Sequence, residues 1–392
     1  MRMKEKVDNM NKDICFMSLG GGQDVGASCY YLKLGNSNVI LDAGIGFSQG
    51  MVYEPNLFSL LTSPFIQSLS QIDHIYISHA HMDHVGYLLQ LMNNATQASV
   101  YMTEITALLS EYQLYDKHFQ NHTDCDEERR LAAQSLLSNI VKVSYMKRMD
   151  LGKYKVTFFP AGHIPGAAMM LFEFGRKKIL YTGDYSIAKT ALTGGCQIPK
   201  GLDIDILIMC GLHAKHPEYS QKADQLFRSV QYTLRLAEQQ KKSVVCYISQ
   251  LSKGIEFLKT LNQWNTGKIP IYLDEQLMEI VQKMERLSVP IMSASNKVMA
   301  GQLPNEPHIL LTSGKGGKRR YPYQEVNIDF SLHDDFEDMK QFIKCLNPKK
   351  AVMVHCAKEY SVFDDTIEQA LMCDGECRTQ FIFAEDKEIY KL

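Results

Sequence analysis

The first hydrophobic runs of the chain are short and broken by glycine and asparagine. Residues 14–19 lead into Gly20-Gly21-Gly22, then 27–34, a turn at Gly35-Asn36, and 39–43. β-type runs separated by such residues predict paired strands. Helical spacing covers roughly 58–69, and a strand over 72–78 ends abruptly in a cluster of His and Asp. Helical spacing returns over 85–92, and residues 103–141 read as helical almost throughout, with Thr103 as N-cap and Glu104 in the first turn. Strand character resumes at 154–159, 167–174, 178–182 and 205–209, so the chain to about residue 209 is β-rich with interspersed helices.

From residue 220 the pattern changes. Helical spacing over 225–240, 254–264 and 275–286 alternates with strands over 243–248 and 269–273. That alternation predicts a parallel α/β unit. A strand over 308–312 precedes the glycine-rich tract Ser313 to Arg320, and a β-type tract at 326–330, a helix over 334–345 and a strand over 351–354 follow. No internal repeat and no low-complexity tract interrupts the pattern.

Composition narrows the class. The chain has 392 residues, 42 Lys+Arg against 44 Asp+Glu, and 45% hydrophobic residues. Such a length allows about two domains with substantial cores. The even charge balance excludes a uniformly basic nucleic-acid coat, so any polyanion site is local. No stretch of about 18 uncharged apolar residues predicts a membrane span, and residues 1–13 lack an apolar run of signal-peptide type. Ten cysteines lie scattered, only Cys373 and Cys377 being close. That usage fits a reducing, cytoplasmic interior.

The chemistry concentrates in Ser78-His79-Ala80-His81-Met82-Asp83-His84. Only 12 residues of the chain are His, and three fall within these six positions beside an Asp. At a strand end, His79 and His81 share one side by the period of two, so both imidazoles can reach one metal. Asp83 and His84 sit where the chain turns into a helix, facing a neighbouring second position. Imidazole nitrogen with carboxylate oxygen suits Zn²⁺ and tolerates Mn²⁺ or Fe²⁺. A helix N-terminus beside the cluster would favour hydroxide or phosphate.

This H-x-H-x-D-H run resembles the metal motif of the metallo-β-lactamase superfamily. Gly21-Gly22 to Gly26, then Leu41-Asp42-Ala43-Gly44, look like that family's first strands and early Asp. Ala161-Gly162-His163 to Ala168 looks like its third motif, and Thr182-Gly183-Asp184 like its fourth. The form of the third motif, the tract Met102-Thr103 to Asp116 and the α/β stretch after the fourth resemble the β-CASP branch, whose members cut nucleic acids. Phe330-Ser331-Leu332-His333-Asp334 and Val352-Met353-Val354-His355 resemble the branch's two late histidine segments. The resemblance implies an α/β fold, a four-layer αβ/βα metallo-β-lactamase sandwich with an inserted Rossmann-like β-CASP domain. The boundaries expected are 1–209 and 329–392 for the sandwich and 210–328 for the insert. It implies two divalent ions, Zn²⁺ or Mn²⁺, one held by His79, His81 and His163, the other by Asp83, His84 and His355, with Asp184 bridging. It further implies hydroxide attack on phosphorus, Asp83 orienting the nucleophile and His333 protonating the leaving 3′-oxygen.

One position departs from the branch. Where an acidic residue usually follows the strand 205–209 and supports the proton-donating His, this sequence has Cys210. A thiol is a weak hydrogen-bonding partner without fixed charge. His213, His216 or Glu218 are the candidates to replace the missing acid. For the substrate, Lys315, Lys318, Arg319 and Arg320 form the best phosphate contact in the sequence, with Tyr321 and Tyr323 as candidates for base stacking. A cleft between the two domains would hold single-stranded RNA, or single-stranded DNA. The leading expectation is a cytoplasmic, metal-dependent ribonuclease, with a homodimer or partner protein setting target choice. The alternatives are a weak or inactive nucleic-acid-binding scaffold and a small-substrate metallo-hydrolase.

Overall fold

The computed structural model describes residues 13–95, 97–114, 126–198, 201–216, 225–249, 251–298, 303–313, 323–328, 330–356, 367–373 and 378–392. Contacts among them divide the chain into two compact units. One is drawn from Met1–Ile187, Gly195–Ser220 and His333–Leu392, the other from Ala188–Gly194 and Gln221–Leu332.

The larger unit is built on two seven-stranded sheets. The first runs in the order Ile389–Lys391, Ile14–Gly20, Cys29–Leu34, Ser37–Leu41, His74–Tyr76, Ser99–Thr103, Val141–Val143. The second runs Gln380–Phe383, Lys350–Val354, Ile206–Cys210, Lys177–Tyr181, Ala168–Phe174, Lys155–Pro160, Arg148–Asp150. Their inner faces share one core, where Phe16, Tyr30, Leu32 and Tyr76 of the first sheet pack with Phe158, Met170, Phe172 and Val352 of the second. The outer face of the first sheet, through Met17, Tyr31, Ile40 and Ile75, packs on Leu60, Leu88, Leu91 and Leu114 of flanking helices. Strands buried on both faces carry near-continuous apolar runs, which is how ICFMSLG and ILIMC read.

Two helical expectations shorten. The helix expected over 58–69 is confined to Leu57–Leu61, with a separate 3₁₀ turn at Leu69–Gln71. Pro64 disfavours helical geometry at the residue before it, and so stops the helix. The expected helix over 103–141 is a strand Ser99–Thr103, helices Glu104–Leu114 and Asp126–Ser138, and an edge strand Val141–Val143. Thr103 ends the strand and still caps, its Oγ1 accepting the Thr106 N–H at 3.1 Å.

The smaller unit has a five-stranded sheet in the order Asn296–Val298, Ile271–Leu273, Ile309–Thr312, Val244–Tyr247, Gln324–Val326. Every pairing in it is parallel. Helices Gln225–Glu238, Lys253–Trp264 and Glu275–Arg286 connect the strands, as the alternating pattern predicts. Asp274 caps the third helix through the Leu277 N–H at 2.7 Å. No helix among the described residues is long and apolar enough to cross a membrane.

Candidate metal centre

The parallel pairings of the larger unit bring several strand ends together. Leu41 lies opposite Tyr76 in the first sheet, so Asp42 and the loop 77–81 leave side by side. In the second sheet Tyr181 pairs with Ile208 and Cys210 with Val354, so Asp184, Cys210 and His355 emerge from neighbouring strands. Close backbone approach fixes the two loops. A Cβ on Gly183, which has φ +53°, would lie 2.5 Å from the Ser78 side chain, and one on Gly44 would lie 1.7 Å from the Asp83 carbonyl oxygen. Only glycine permits either approach.

Among the described residues three donor clusters result, each with its ligand atoms within 4.8 Å of one another: His79, His81, His163 and Asp184; Asp83, His84 and His355; and Asp184, Cys210 and His333. His81 Nδ1 lies 3.0 Å from His79 Nε2 and 3.2 Å from His163 Nε2. Asp184 Oδ2 is the hub, 3.5 Å from His84 Nε2, 3.7 Å from His79 Nε2, and 3.8 Å from both His163 Nε2 and His333 Nδ1. Asp83 Oδ2 lies 3.9 Å from His84 Nε2 and 3.8 Å from His355 Nε2. Asp83 and His84 sit on the single turn Met82–Val85. A helix of four residues has little macrodipole, so the expected anion attraction at its N-terminus carries no weight.

Behind these residues lies a supporting layer whose role the sequence did not assign. Asp42 accepts hydrogen bonds from Ser78 N and Oγ at 2.6 and 2.7 Å and from the Tyr181 hydroxyl, and lies 2.8 Å from His84 Nδ1. The Ser78 hydroxyl spends its one proton on Asp42, so at 3.0 Å it accepts from His79 Nδ1. Both rings are thereby set with Nδ1 as donor and Nε2 directed at the Asp184 carboxylate. Ser28 Oγ holds His355 Nδ1 at 3.0 Å, and His355 itself has the left-handed φ of +53°. The strand-following Asp in Leu41-Asp42-Ala43-Gly44 is the only sequence signal for this layer.

This arrangement fits a metal. His84 Nε2 and Asp184 Oδ1 are buried without a hydrogen-bond partner. Buried polar atoms left so cost about 1–3 kcal/mol each, and imidazole lone pairs turned toward a carboxylate repel it unless a proton or cation lies between. Burial opposes charge on His84, but the carboxylates of Asp184, Asp83 and Asp42 overcome it and hold the ring's pKa well above the ordinary value. Burial likewise opposes ionisation of Asp184, and His84, His355 and His333 overcome it, holding this carboxyl well below the usual range. His79 is pushed well down by burial and the neighbouring His84 and His81, and His81 to about 3 by burial and His163. Neutral His79 and His81 and an ionised Asp184 are in the ligand states a divalent cation requires, whereas His84 holds a proton that an arriving cation would displace.

Residues 22–230 match the profile of the Metallo-beta-lactamase superfamily. The chain belongs to this superfamily. Among relatives of the superfamily chain, "Endoribonuclease ysh-1" of Neurospora crassa is 28% identical over 289 residues, 70% of this chain and 32% of that protein. "Endoribonuclease YSH1" of Saccharomyces cerevisiae is 28% identical over 294 residues, 72% and 35% of the two chains. "Probable RNase MJ4" of Methanocaldococcus jannaschii is 28% identical over 272 residues, 68% and 60%. The chain thus spans about a third of the fungal relatives' length. A crystal structure of a protein of unknown function from Enterococcus faecalis shares the fold, with TM-score 0.64, 13% identity, 97% of this chain and 100% of that one covered.

Other expected residues fall elsewhere. His213 and His216 join none of the three clusters; Cys210 does, beside His333 and Asp184. Burial and the charge of Asp184 push the Cys210 thiol well up. His308 is buried just before the strand Ile309–Thr312, its Nδ1 2.7 Å from the Glu306 carbonyl. His74 Nδ1 lies 2.6 Å from the Tyr154 hydroxyl in the sandwich core. Lys315, Lys318, Arg319, Arg320, Tyr321, Glu218, His118, His122 and Cys377 lie outside the described residues.

Proposed function

We propose that this chain is a hydrolase of the β-CASP branch that cleaves phosphodiester bonds of single-stranded RNA with two divalent cations, Zn²⁺ foremost. The observation that carries this reading is the Asp184 carboxylate, buried amid the nitrogens of His79, His84, His163 and His333 at 3.5–3.8 Å. The names of the relatives supply the substrate class. His79, His81, His163 and Asp184 would hold one cation, and Asp83, His84, His355 and the shared Asp184 the other. Bound there, the cations would acidify water and offset charge on the phosphate oxygens.

The remaining work falls to the protein's own groups. Asp83 is the more accessible carboxylate of the centre, 26% accessible against 2% for Asp184, so it can orient a water or the substrate. We assign His333, 22% accessible beside Asp184, the role of giving a proton to the leaving oxygen. Burial depresses its pKa well below the ordinary value, with Asp184 opposing. An arriving phosphate adds negative charge beside the ring and favours the protonated donor form. Asp42 and Ser28 fix ring orientations throughout. Cytoplasmic residence, phosphate contacts by Lys315, Lys318, Arg319 and Arg320, and a homodimer or partner protein for target choice complete the proposal.

Labelled single-stranded RNA incubated with Zn²⁺ or Mn²⁺ tests it: the parent should cut, and Asp83→Ala and His333→Ala should cut far more slowly. An intact substrate with the metal-loaded parent overturns the hydrolytic reading. Cys210 in the place of an acid favours a second one, a weak or scaffolding RNA-binding subunit. Retention of the RNA without cutting would support it.

A further inference from the structure

The three donor clusters ask different things of a cation. Two are built from imidazole and carboxylate; the third, Asp184, Cys210 and His333, brings sulfur. Cys210 is held firmly there. It ends the buried strand Ile206–Cys210, its N–H donates to Thr182 Oγ1 at 3.1 Å, and it is only 6% exposed. Asp184, 2% exposed, turns Oδ2 to the histidines, while its buried Oδ1 has no hydrogen-bond partner. His333 Nδ1 lies 3.8 Å from that carboxylate and its ring 4.6 Å from the His163 ring. No other described cysteine joins a donor cluster.

We propose that Asp184, Cys210 and His333 form a third cation position that takes a soft divalent ion such as Zn²⁺, Co²⁺ or Cd²⁺ through the Cys210 sulfur. The thiol proton leaves to solvent as the metal–sulfur bond forms, with no change of oxidation state. Thiolate selects these ions over Mn²⁺ and Mg²⁺, which oxygen ligands suit better. A consequence rests on the proposed function: a ligated His333 cannot donate a proton, so excess soft cation should inhibit cleavage where excess Mn²⁺ does not.

Cobalt titration of the metal-free full chain tests the site without reference to turnover. The expected result is a near-ultraviolet thiolate-to-cobalt charge-transfer band in the parent, lost in Cys210→Ser together with one equivalent of bound ion. His333→Gln, at a partly exposed position, should weaken the affinity for that equivalent about tenfold or more, and it decides the matter if the serine variant does not fold. A parent without the band, a band undiminished in Cys210→Ser, or an unchanged cobalt affinity in His333→Gln overturns the site. The band bears on the site even if the parent never cuts RNA, which would sink the proposed function alone. Cleavage by a parent showing the band, undiminished by excess Zn²⁺, overturns the inhibitory role.

Discussion

Glu256 in the smaller unit and Asp184 in the larger one are both buried carboxylates, each 2% exposed. Glu256 gives its oxygens to the backbone, accepting from Ala191 N at 2.7 Å and Leu192 N at 3.3 Å, and so ties 188–194 to the helix Lys253–Trp264. Burial raises its pKa, with these hydrogen bonds opposing. Asp184 faces imidazole nitrogens, keeps one oxygen without a partner, and is held well below the usual carboxylate range. The same chemical group is thus structural where the main chain satisfies it and a candidate ligand where neighbouring lone pairs converge on it. Burial alone distinguishes nothing; the partners do.

Breaking the larger unit's carboxylate should have the largest effect. Asp184→Ala removes the hub of two clusters, and bound metal measured by elemental analysis should fall along with RNA cleavage to background. Retained full metal content in this variant would contradict the hub role. His333→Ala should lower kcat by about 10²–10⁴-fold, the range of general acid catalysis, while the first two metal equivalents remain. Asp42→Asn keeps the shape but removes the charge that orients Ser78 and His84. Metal affinity should weaken by about 10–100-fold, as outer-shell substitutions do, read by competition with a chelating dye.

On the other side of the comparison, Glu256→Ala leaves the Ala191 and Leu192 N–H groups without their acceptor. Stability of the smaller unit should drop by about 1–3 kcal/mol, visible in thermal unfolding, with metal content unchanged. The smallest effect concerns pH. Asp334 accepts the Ile187 N–H at 2.9 and 3.0 Å through its two oxygens, and burial raises its pKa to about 7, with Ser186 opposing. Between the unfolded value near 3.8 and about 7, the folded state binds the extra proton. This group's contribution to stability is therefore present at acid pH and lost as pH rises through 7. Asp334→Asn should raise the melting temperature by a few degrees at pH 8 and leave it unchanged near pH 4; an equal shift at both would contradict the assignment.

Legibility followed how local each signal was. The alternation of 225–286 was readable because each strand and helix carries its own period, and all three helices and the strands Val244–Tyr247 and Ile271–Leu273 lie where it predicts them. The 58–69 expectation failed because apolar spacing outweighed Pro64, and the 103–141 expectation, met by the helices Glu104–Leu114 and Asp126–Ser138, failed at its ends because Ser99–Thr103 pairs with Val141–Val143. Propensity contains no such partner.

By itself the sequence determined the vocabulary of candidate ligands, since His79, His81, Asp83 and His84 are chain neighbours whose spacing alone restricts where their side chains go. The family resemblance named His163, Asp184 and His355 as distant partners, and tertiary structure decided what supports them. Asp42, 36 positions from Ser78 and 139 from Tyr181, becomes the support of the rings only because parallel strands end side by side. The same registry sets Cys210 beside Asp184 and His333. Sequence spacing carries no information about such meetings, because they are fixed by strand order and by the close approaches that Gly44 and Gly183 allow.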